Sequence, residues 1–274
     1  MFILVIIAFA VNVNAQWVYS YAEAVELAKV TGKPMMLDFT ASWCGPCKKM
    51  DADVWPAEEV KSNMGKMVMA KIDIDIDRSA AAKFGIQSIP NIVIALPDGK
   101  VLHQEIGYQS ISMIVRMLKS YDVNFSEVYA ILLSKEKETD VSLIQLGNAY
   151  VDVVPELEGR SSSMIMSFAE SAYKKGGKLA QKNQNTQLSD EANLRMIAML
   201  NLKKQPEKVI AKLDKEVDIS SLSPTNKVLA LSARLDALIA LEKSKEAMDV
   251  YNDLKSIPEA SDVVKRYANR LEKM

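Results

Sequence analysis

The sequence predicts an α/β domain followed by an all-α helical array, and three observations support this prediction. Residues 35–39 form an apolar run typical of a buried strand, and a cysteine pair and a stretch with helical spacing follow it directly. Strand and helix patterns then alternate up to Tyr121. After Tyr121 the apolar residues recur at the i, i+3/i+4, i+7 spacing of amphipathic helices. A chain of 274 residues is long enough for two such domains.

The first fifteen residues differ in composition from everything that follows. Residues 2–11 are continuously apolar, and small residues occupy the positions before Gln16 that a signal peptidase reads. The run is too short for a membrane-spanning helix, which needs about 20 apolar residues. We therefore predict a signal peptide over residues 1–15 and a periplasmic or secreted protein. A buried strand is the alternative, and the absence of Lys or Arg before the run departs from the usual signal pattern.

The next segment, residues 16–121, reads as the α/β domain. A helix over 20–31 should end at Gly32, because glycine commonly terminates helices. The turn at 97–99 contains proline and glycine and should connect two strands of a hairpin. The predicted elements are, in order, a helix at 20–31, a strand at 35–39, a helix from 44 to about 64, a strand at 68–76, a helix at 79–84, strands at 89–96 and 100–107, and a helix at 111–121.

Residues 122–274 read as the helical array. Gly176 and Gly177 are expected to stop a helix, and the polar run 181–187 is expected to be a loop. Segments 146–150 and 235–258 resemble degenerate tetratricopeptide repeats. Val209 and Leu213 match Ala247 and Tyr251 at a separation of 38 residues, whereas that repeat is about 34 residues long. The apolar stripes of these helices are explained by a core. A groove for a protein partner, or self-association through this domain, is a hypothesis from the architecture alone.

Cys44 and Cys47 are the only cysteines in the chain. Cys44 should lie where a strand turns into a helix, so that the helix N-terminus stabilises its thiolate. We expect it to be more exposed than Cys47 and to be the attacking thiol. A zinc site would need more ligands than this pair and His103 supply, and a two-residue loop gains little from a static disulfide. Redox chemistry without a metal or cofactor is therefore favoured.

The chain resembles the thioredoxin superfamily over residues 16–121. The departures are Thr40, in place of a second tryptophan, and Ala52, in place of a proline that kinks the active-site helix. The resemblance implies a thioredoxin fold, with a central mixed sheet flanked by helices, and thiol–disulfide oxidoreductase activity. It is carried by Trp43-Cys44-Gly45-Pro46-Cys47 after Asp38-Phe39, by Ala70-Lys71-Ile72-Asp73, by residues 84–90 with Ile89-Pro90, by residues 97–100 and by Gly107.

The same resemblance assigns roles around the cysteines. Asp38, a carboxylate within an apolar strand, should be buried with a raised pKa and accept the proton of Cys47, with Lys71 as its partner. Pro90 is expected in the cis form, and backbone groups of Ile89 are expected to pair with substrate. The substrate-binding surface is completed by Trp43, Gly45 and Pro46. A strand-edge position in water is the alternative for Asp38.

Charge excludes one class of function. The formal net charge is -1, and residues 16–121 carry as many basic as acidic side chains. Residues 122–274 carry one more acidic than basic side chain, so neither half has the positive charge that favours nucleic acid or an anionic membrane.

The sequence therefore predicts an exported thiol–disulfide oxidoreductase that reduces protein disulfides. The Gly-Pro dipeptide between the cysteines is that of thioredoxin proper, a reductant. An exported reductant must be recharged, which implies an electron donor in the membrane. The alternatives are a disulfide isomerase or oxidase, and a helical scaffold that uses the α/β domain as a binding module.

Overall fold

The computed structural model describes residues 17–136 and 138–271. The predicted signal peptide therefore lies outside the described residues. Within them, contacts divide the chain into two compact units. The first unit contains residues up to Leu132 together with Val153–Ile165, and the second, the helical unit, contains Leu133–Asp152 and the residues from Met166 onward. No helix in the described part of the chain is both long and apolar enough to span a membrane.

The first unit is built on a four-stranded mixed sheet. Its strands are β1 (Met35–Thr40), β2 (Val68–Asp73), β3 (Asn91–Ala95) and β4 (Val101–Ile106), in the spatial order β2-β1-β3-β4. β1 pairs in parallel with β2, whereas β3 is antiparallel to both β1 and β4. The central strand β1 is buried along almost its whole length, which explains the continuous apolar run in the sequence. The predicted mixed sheet is confirmed.

Helices of the first unit surround this sheet. They are α1 (Tyr21–Thr31), α2 (Gly45–Asp53), α3 (Glu58–Met64), α4 (Arg78–Lys83), α5 (Ile111–Ser120) and α6 (Ser126–Leu132). α1 packs against β1 and β2, and it ends at Gly32 in the left-handed conformation that favours glycine. The single helix predicted from Cys44 to Met64 is two helices, because α2 ends at Asp53 and α3 begins five residues later.

The predicted strand 68–76 is shorter than expected. β2 ends at Asp73, whose Oδ1 accepts a hydrogen bond from the backbone N–H of Asp75 at 2.9 Å. An aspartate that binds the backbone two residues on favours a turn. Residues 74–76 therefore form a turn instead of continuing the strand, and this places Ile74 against the cysteines and Asp75 beside Trp43, as described below.

α6 belongs to the first unit. The Phe125 N–H, at the start of α6, donates to the Gly32 carbonyl at 2.7 Å, and the Tyr129 hydroxyl donates to the Lys33 carbonyl at 3.0 Å. Phe125 and Tyr129 are both fully buried. The domain boundary predicted at Tyr121 stays a prediction, whereas the contacts of the first unit extend beyond it.

The rest of the described chain is helical, as predicted. Its helices connect through short turns, in agreement with an antiparallel array. Resemblance to a tetratricopeptide repeat stays a prediction. The helices are α7 (Asp140–Val153), α8 (Gly159–Lys182), α9 (Thr186–Leu202), α10 (Pro206–Glu216), α11 (Pro224–Ala240), α12 (Ser244–Lys255) and α13 (Ser261–Leu271).

The prediction that Gly176 and Gly177 stop a helix is wrong, because α8 continues through both to Lys182. A Cβ atom on Gly176 would lie 3.0 Å from Ile144 Cγ1, and one on Gly177 would lie 3.0 Å from Ala192 Cβ. The two glycines therefore allow neighbouring helices to approach α8 closely. The contacts between these closely packed helices outweigh the roughly 1 kcal/mol of stability that a glycine costs within a helix.

Candidate active site

The two cysteines form a disulfide at the start of α2. The S–S distance is 2.01 Å and the two Cα atoms are 5.3 Å apart. Cys44 is the N-cap of α2, with Pro46 in its first turn, and the Cys47 N–H donates to Cys44 Sγ at 3.2 Å. Free N–H groups and the helix dipole favour negative charge at an N-cap. When the disulfide is reduced, this position stabilises a thiolate on Cys44 more than on Cys47.

Exposure does not distinguish the two cysteines. The prediction that Cys44 is more exposed than Cys47 is wrong for the disulfide form, since both residues are 3% exposed. Gly45 and Pro46, which lie between them, are exposed. The preference for Cys44 as the attacking sulfur therefore depends on its cap position and on the hydrogen bond that it accepts.

An apolar rim surrounds the disulfide. Ala41 is buried against the cysteines, and the half-buried Ile74 and Ile89 pack against the same cluster. Trp43 is 64% exposed, and its indole Nε1 donates to Asp75 Oδ2 at 2.8 Å. Ile74 and Asp75 were not predicted as site residues, because the sequence around them reads as the end of a strand. The alternation of aspartates there was the one signal of a turn.

The loop before β3 brings Ile89 to this rim. The Ile89–Pro90 peptide bond is cis, as the resemblance implies, and Pro90 is buried. The Pro90 carbonyl accepts a hydrogen bond from the Gly107 N–H at 2.8 Å. Gly107 has φ +88, a conformation that favours glycine, so the end of β4 holds this loop in place.

Asp38 lies in the middle of β1 and is 3% exposed. In the sheet it is opposite Lys71 of β2 and Ile92 of β3. Burial raises the pKa of Asp38 to about 7, while the Lys71 ammonium lowers this pKa and the Asp51 carboxylate raises it. A carboxyl group with such a pKa can exchange a proton near neutral pH. The strand-edge alternative does not apply to Asp38.

Lys71 has a different ion-pair partner from the one predicted. Its ammonium pairs with Asp51 Oδ1 and lies 5.0 Å from the centre of the Trp17 ring. The Lys71 ammonium is also close enough to Asp38 to lower the pKa of its carboxyl group. Lys71 is half-buried, and its side chain is 21% exposed. Asp51 was missed because its partner lies twenty positions later in the chain, on a different element.

A second lysine close to the cysteines also has a defined partner. The Lys49 ammonium lies 5.4 Å from the centre of the Tyr108 ring, a distance at which a cation is attracted to an aromatic face. Tyr108 is 43% exposed and follows β4. The ammonium group of Lys49 is therefore positioned against the ring of Tyr108.

Comparison with known proteins relates part of the chain to one family. Residues 18–120 match the family model described as thioredoxin. Thioredoxin of Bacillus subtilis is 42% identical over 76 residues, which cover 27% of this chain and 69% of that protein. A thioredoxin-like protein of Synechocystis is 30% identical over 102 residues, which cover 37% of this chain and 93% of the relative. The solution structure of a thioredoxin from Thermus thermophilus covers 38% of this chain and 85% of its own, at 22% identity and a TM-score of 0.35.

Proposed function

We propose that this chain, which belongs to the thioredoxin family, is an exported enzyme that reduces disulfide bonds in other proteins. Family membership and the Cys44–Cys47 pair make it a thiol–disulfide oxidoreductase. The observation that carries the proposed order of steps is the cap position of Cys44, where the Cys47 N–H donates to its sulfur.

The proposed reaction has two exchange steps. The Cys44 thiolate attacks one sulfur of a substrate disulfide, and the other substrate sulfur leaves as a thiolate. The Cys47 sulfur then loses its proton and attacks Cys44 Sγ, which releases the second substrate sulfur. Two electrons pass from the enzyme dithiol to the substrate, and the Cys44–Cys47 disulfide of the structure is formed.

Asp38 is the proposed acceptor of the Cys47 proton. Its pKa of about 7 suits a general base at neutral pH. Asp38→Asn should slow release of the mixed disulfide and leave its formation unchanged, which rapid quenching of a single turnover can separate. An unchanged release rate between pH 6 and pH 9 (roughly the thiol titration range) would assign Asp38 a structural role alone.

The rim of the disulfide is the proposed substrate surface. Trp43, Gly45 and Pro46 are exposed there, and the half-buried Ile89 would offer backbone groups to the substrate chain beside Pro90. The apolar side chains suit an unfolded or extended segment more than a charged small molecule.

Reduction is favoured over oxidation by the Gly-Pro dipeptide. Thioredoxin has a potential of about -270 mV and the strongest periplasmic oxidant about -120 mV, a gap of roughly 7 kcal/mol for two electrons. Stabilisation of the Cys44 thiolate by its cap position, or by Lys48 and Lys49 just after the pair, would make the pair more oxidising and act against this preference. An electron donor in the membrane would return the pair to the dithiol. Export rests on the composition of residues 1–15.

Three measurements test this proposal. Insulin reduction should be lost in Cys44→Ser, while Cys47→Ser should accumulate a mixed disulfide with the substrate. Equilibration with glutathione should give a potential well below about -180 mV, the value for protein disulfide isomerase. A higher potential would favour an oxidase or isomerase instead. Export predicts that the mature chain begins at Gln16, which mass spectrometry of the exported protein can check.

A further inference from the structure

A cleft within the helical unit is lined by alternate helices of the array. Its cavity volume is about 360 Å³, which lies in the range of about 300–1,000 Å³ for ligand sites. The walls come from α7, α9, α11 and α13, with one residue from α8, Tyr173. One helix of each successive pair therefore contributes most of the residues that line the cleft.

Two carboxamides in the cleft have complementary free groups. Tyr173 donates from its hydroxyl to Asn148 Oδ1 at 2.8 Å, so the group that remains on Asn148 is a donor. Asn201 donates from Nδ2 to the Ala233 carbonyl at 2.9 Å, so the group that remains on Asn201 is an acceptor. A peptide bond offers a carbonyl for the first and an N–H for the second.

Two buried polar atoms of the cleft have no hydrogen-bond partner within the described part of the chain. They are Asn201 Oδ1 and the hydroxyl of Ser232, a residue that is 9% exposed. A buried polar group without a partner costs about 1–3 kcal/mol. A ligand that donates to Asn201 and exchanges a hydrogen bond with Ser232 would recover that cost.

The charges of the cleft balance. Arg195 pairs with Glu191 at 3.2 Å, and Asp236 pairs with Arg270 at 2.7 Å. Asp152 and Arg266 add one charge of each sign to the lining. An anion such as a phosphate, or a nucleic acid, would meet as many negative as positive charges, so the cleft favours a ligand without large net charge.

Apolar side chains complete the surface. Val151, Ala198 and Leu229 line the cleft, and Leu202 is 40% exposed there. Exposed leucine beside free carboxamides is suited to a chain that presents apolar side chains and peptide groups together.

From these groups we infer that the cleft binds an extended segment of polypeptide. The carboxamides of Asn148 and Asn201 contact its backbone, the apolar wall contacts its side chains, and Asp152 and Arg266 select segments that carry both signs of charge. The site takes no part in the chemistry of Cys44, so the inference holds whichever direction electrons flow.

The test uses the full chain and reduced, S-carbamidomethylated α-lactalbumin, an unfolded protein whose cysteines are blocked by an uncharged group and cannot exchange disulfides. Calorimetry should show binding by the wild-type protein. Asn201→Leu and Arg266→Glu should each weaken it at least about fivefold, the loss of roughly one hydrogen bond. Lys265→Glu makes the same charge change one residue earlier on α13, outside the cleft, and should change the affinity less than about twofold.

Circular dichroism confirms folding of each variant, and Arg266→Glu decides the outcome if Asn201→Leu does not fold. No binding by the wild type would overturn the inference, as would equal weakening by Lys265→Glu. Loss of binding in Trp43→Ala, with the cleft variants unaffected, would place the binding on the redox surface instead. Displacement of the probe by free amino acids would show a small-molecule site and also overturn the inference.

Discussion

Burial raises the pKa of one carboxyl group in the first unit, Asp38, and the pKa of two tyrosines in the helical unit, Tyr173 and Tyr267. Burial raises the pKa of Asp38 to about 7, into the range where proteins work. Burial also raises the pKa of Tyr173 and of Tyr267, which moves both hydroxyls further from that range. The same desolvation therefore makes a carboxyl reactive and a phenol inert.

The hydrogen bonds of the two regions agree with this contrast. The Tyr173 hydroxyl donates to Asn148, and the Tyr267 hydroxyl donates to the Ser232 carbonyl at 3.3 Å. Both tyrosines act as neutral donors that fix neighbouring helices. Asp38 instead lies among the charges of Lys71 and Asp51, which change its proton affinity. Burial of an ionisable group indicates chemistry only where the shifted pKa approaches the working pH.

The largest expected effect tests Asp38. Since its pKa is raised from 3.8 to about 7, the unfolded chain releases this proton between about pH 4 and pH 7 while the folded chain keeps it, so folding stability falls across that window. Asp38→Asn removes this loss. The stability of the variant relative to wild type should rise by up to about 4 kcal/mol from pH 4 to pH 8. Urea unfolding at both pH values measures the change, and a constant difference would contradict the raised pKa.

A smaller effect is expected at Gly147 in α7. A Cβ atom there would lie 2.4 Å from Cε1 of the Tyr173 ring. Gly147→Ala should destabilise the protein by about 1–3 kcal/mol, because the ring must move within a packed core. Gly65→Ala is the matched control, since nothing lies within 4 Å of its added Cβ and its φ is -63. Thermal unfolding compares the two variants, and equal stability would show that the ring is not closely packed.

Tyr173→Phe tests the other side of the comparison, a buried phenol that stays neutral. Loss of the bond to Asn148 should cost about 1 kcal/mol, and the cost should be the same at pH 5 and pH 9 because the phenol stays neutral throughout. Tyr19→Phe should cost almost nothing, since Tyr19 is 72% exposed. A cost in urea unfolding that changes with pH would break the contrast with Asp38.

The smallest effect concerns Asp51. Asp51→Asn removes a charge that raises the pKa of Asp38, so that pKa should fall below about 7 and the pH profile of mixed-disulfide release should move to lower pH. Stability should change by less than about 1 kcal/mol, as expected for an exposed ion pair. Asp53→Asn, on the exposed side of the same helix, is the control. Carbon NMR of the Asp38 carboxyl measures the shift, and equal shifts in both variants would exclude a specific role for Asp51.

Much of the first unit could be predicted because the sequence patterns that indicate its elements are local. The apolar run of β1, the cysteine pair and the helix after it are adjacent in sequence, and Gly32 ends α1 as its type suggests. The burial of Asp38 could be predicted for the same reason, since it lies within that apolar run.

The features that were missed depend on contacts between distant residues. Asp51 meets Lys71 twenty positions later, which no local pattern shows. The helix through Gly176 and Gly177 continues because other helices need the space, although glycine alone indicates an end. Equal exposure of the two cysteines follows from the rim of Ile74 and Ile89, which arrive from separate loops.

The three tryptophans of the chain make the first unit visible by fluorescence. They are Trp17, Trp43 and Trp55, so the helical unit contributes no indole emission. Trp17 and Trp55 pack edge to face with ring centres 5.0 Å apart, and Trp55 is buried. Trp43 is largely in water beside the disulfide, and its emission should therefore lie at longer wavelength than that of Trp55. Tryptophan emission excited at the red edge thus follows the first unit within the intact protein.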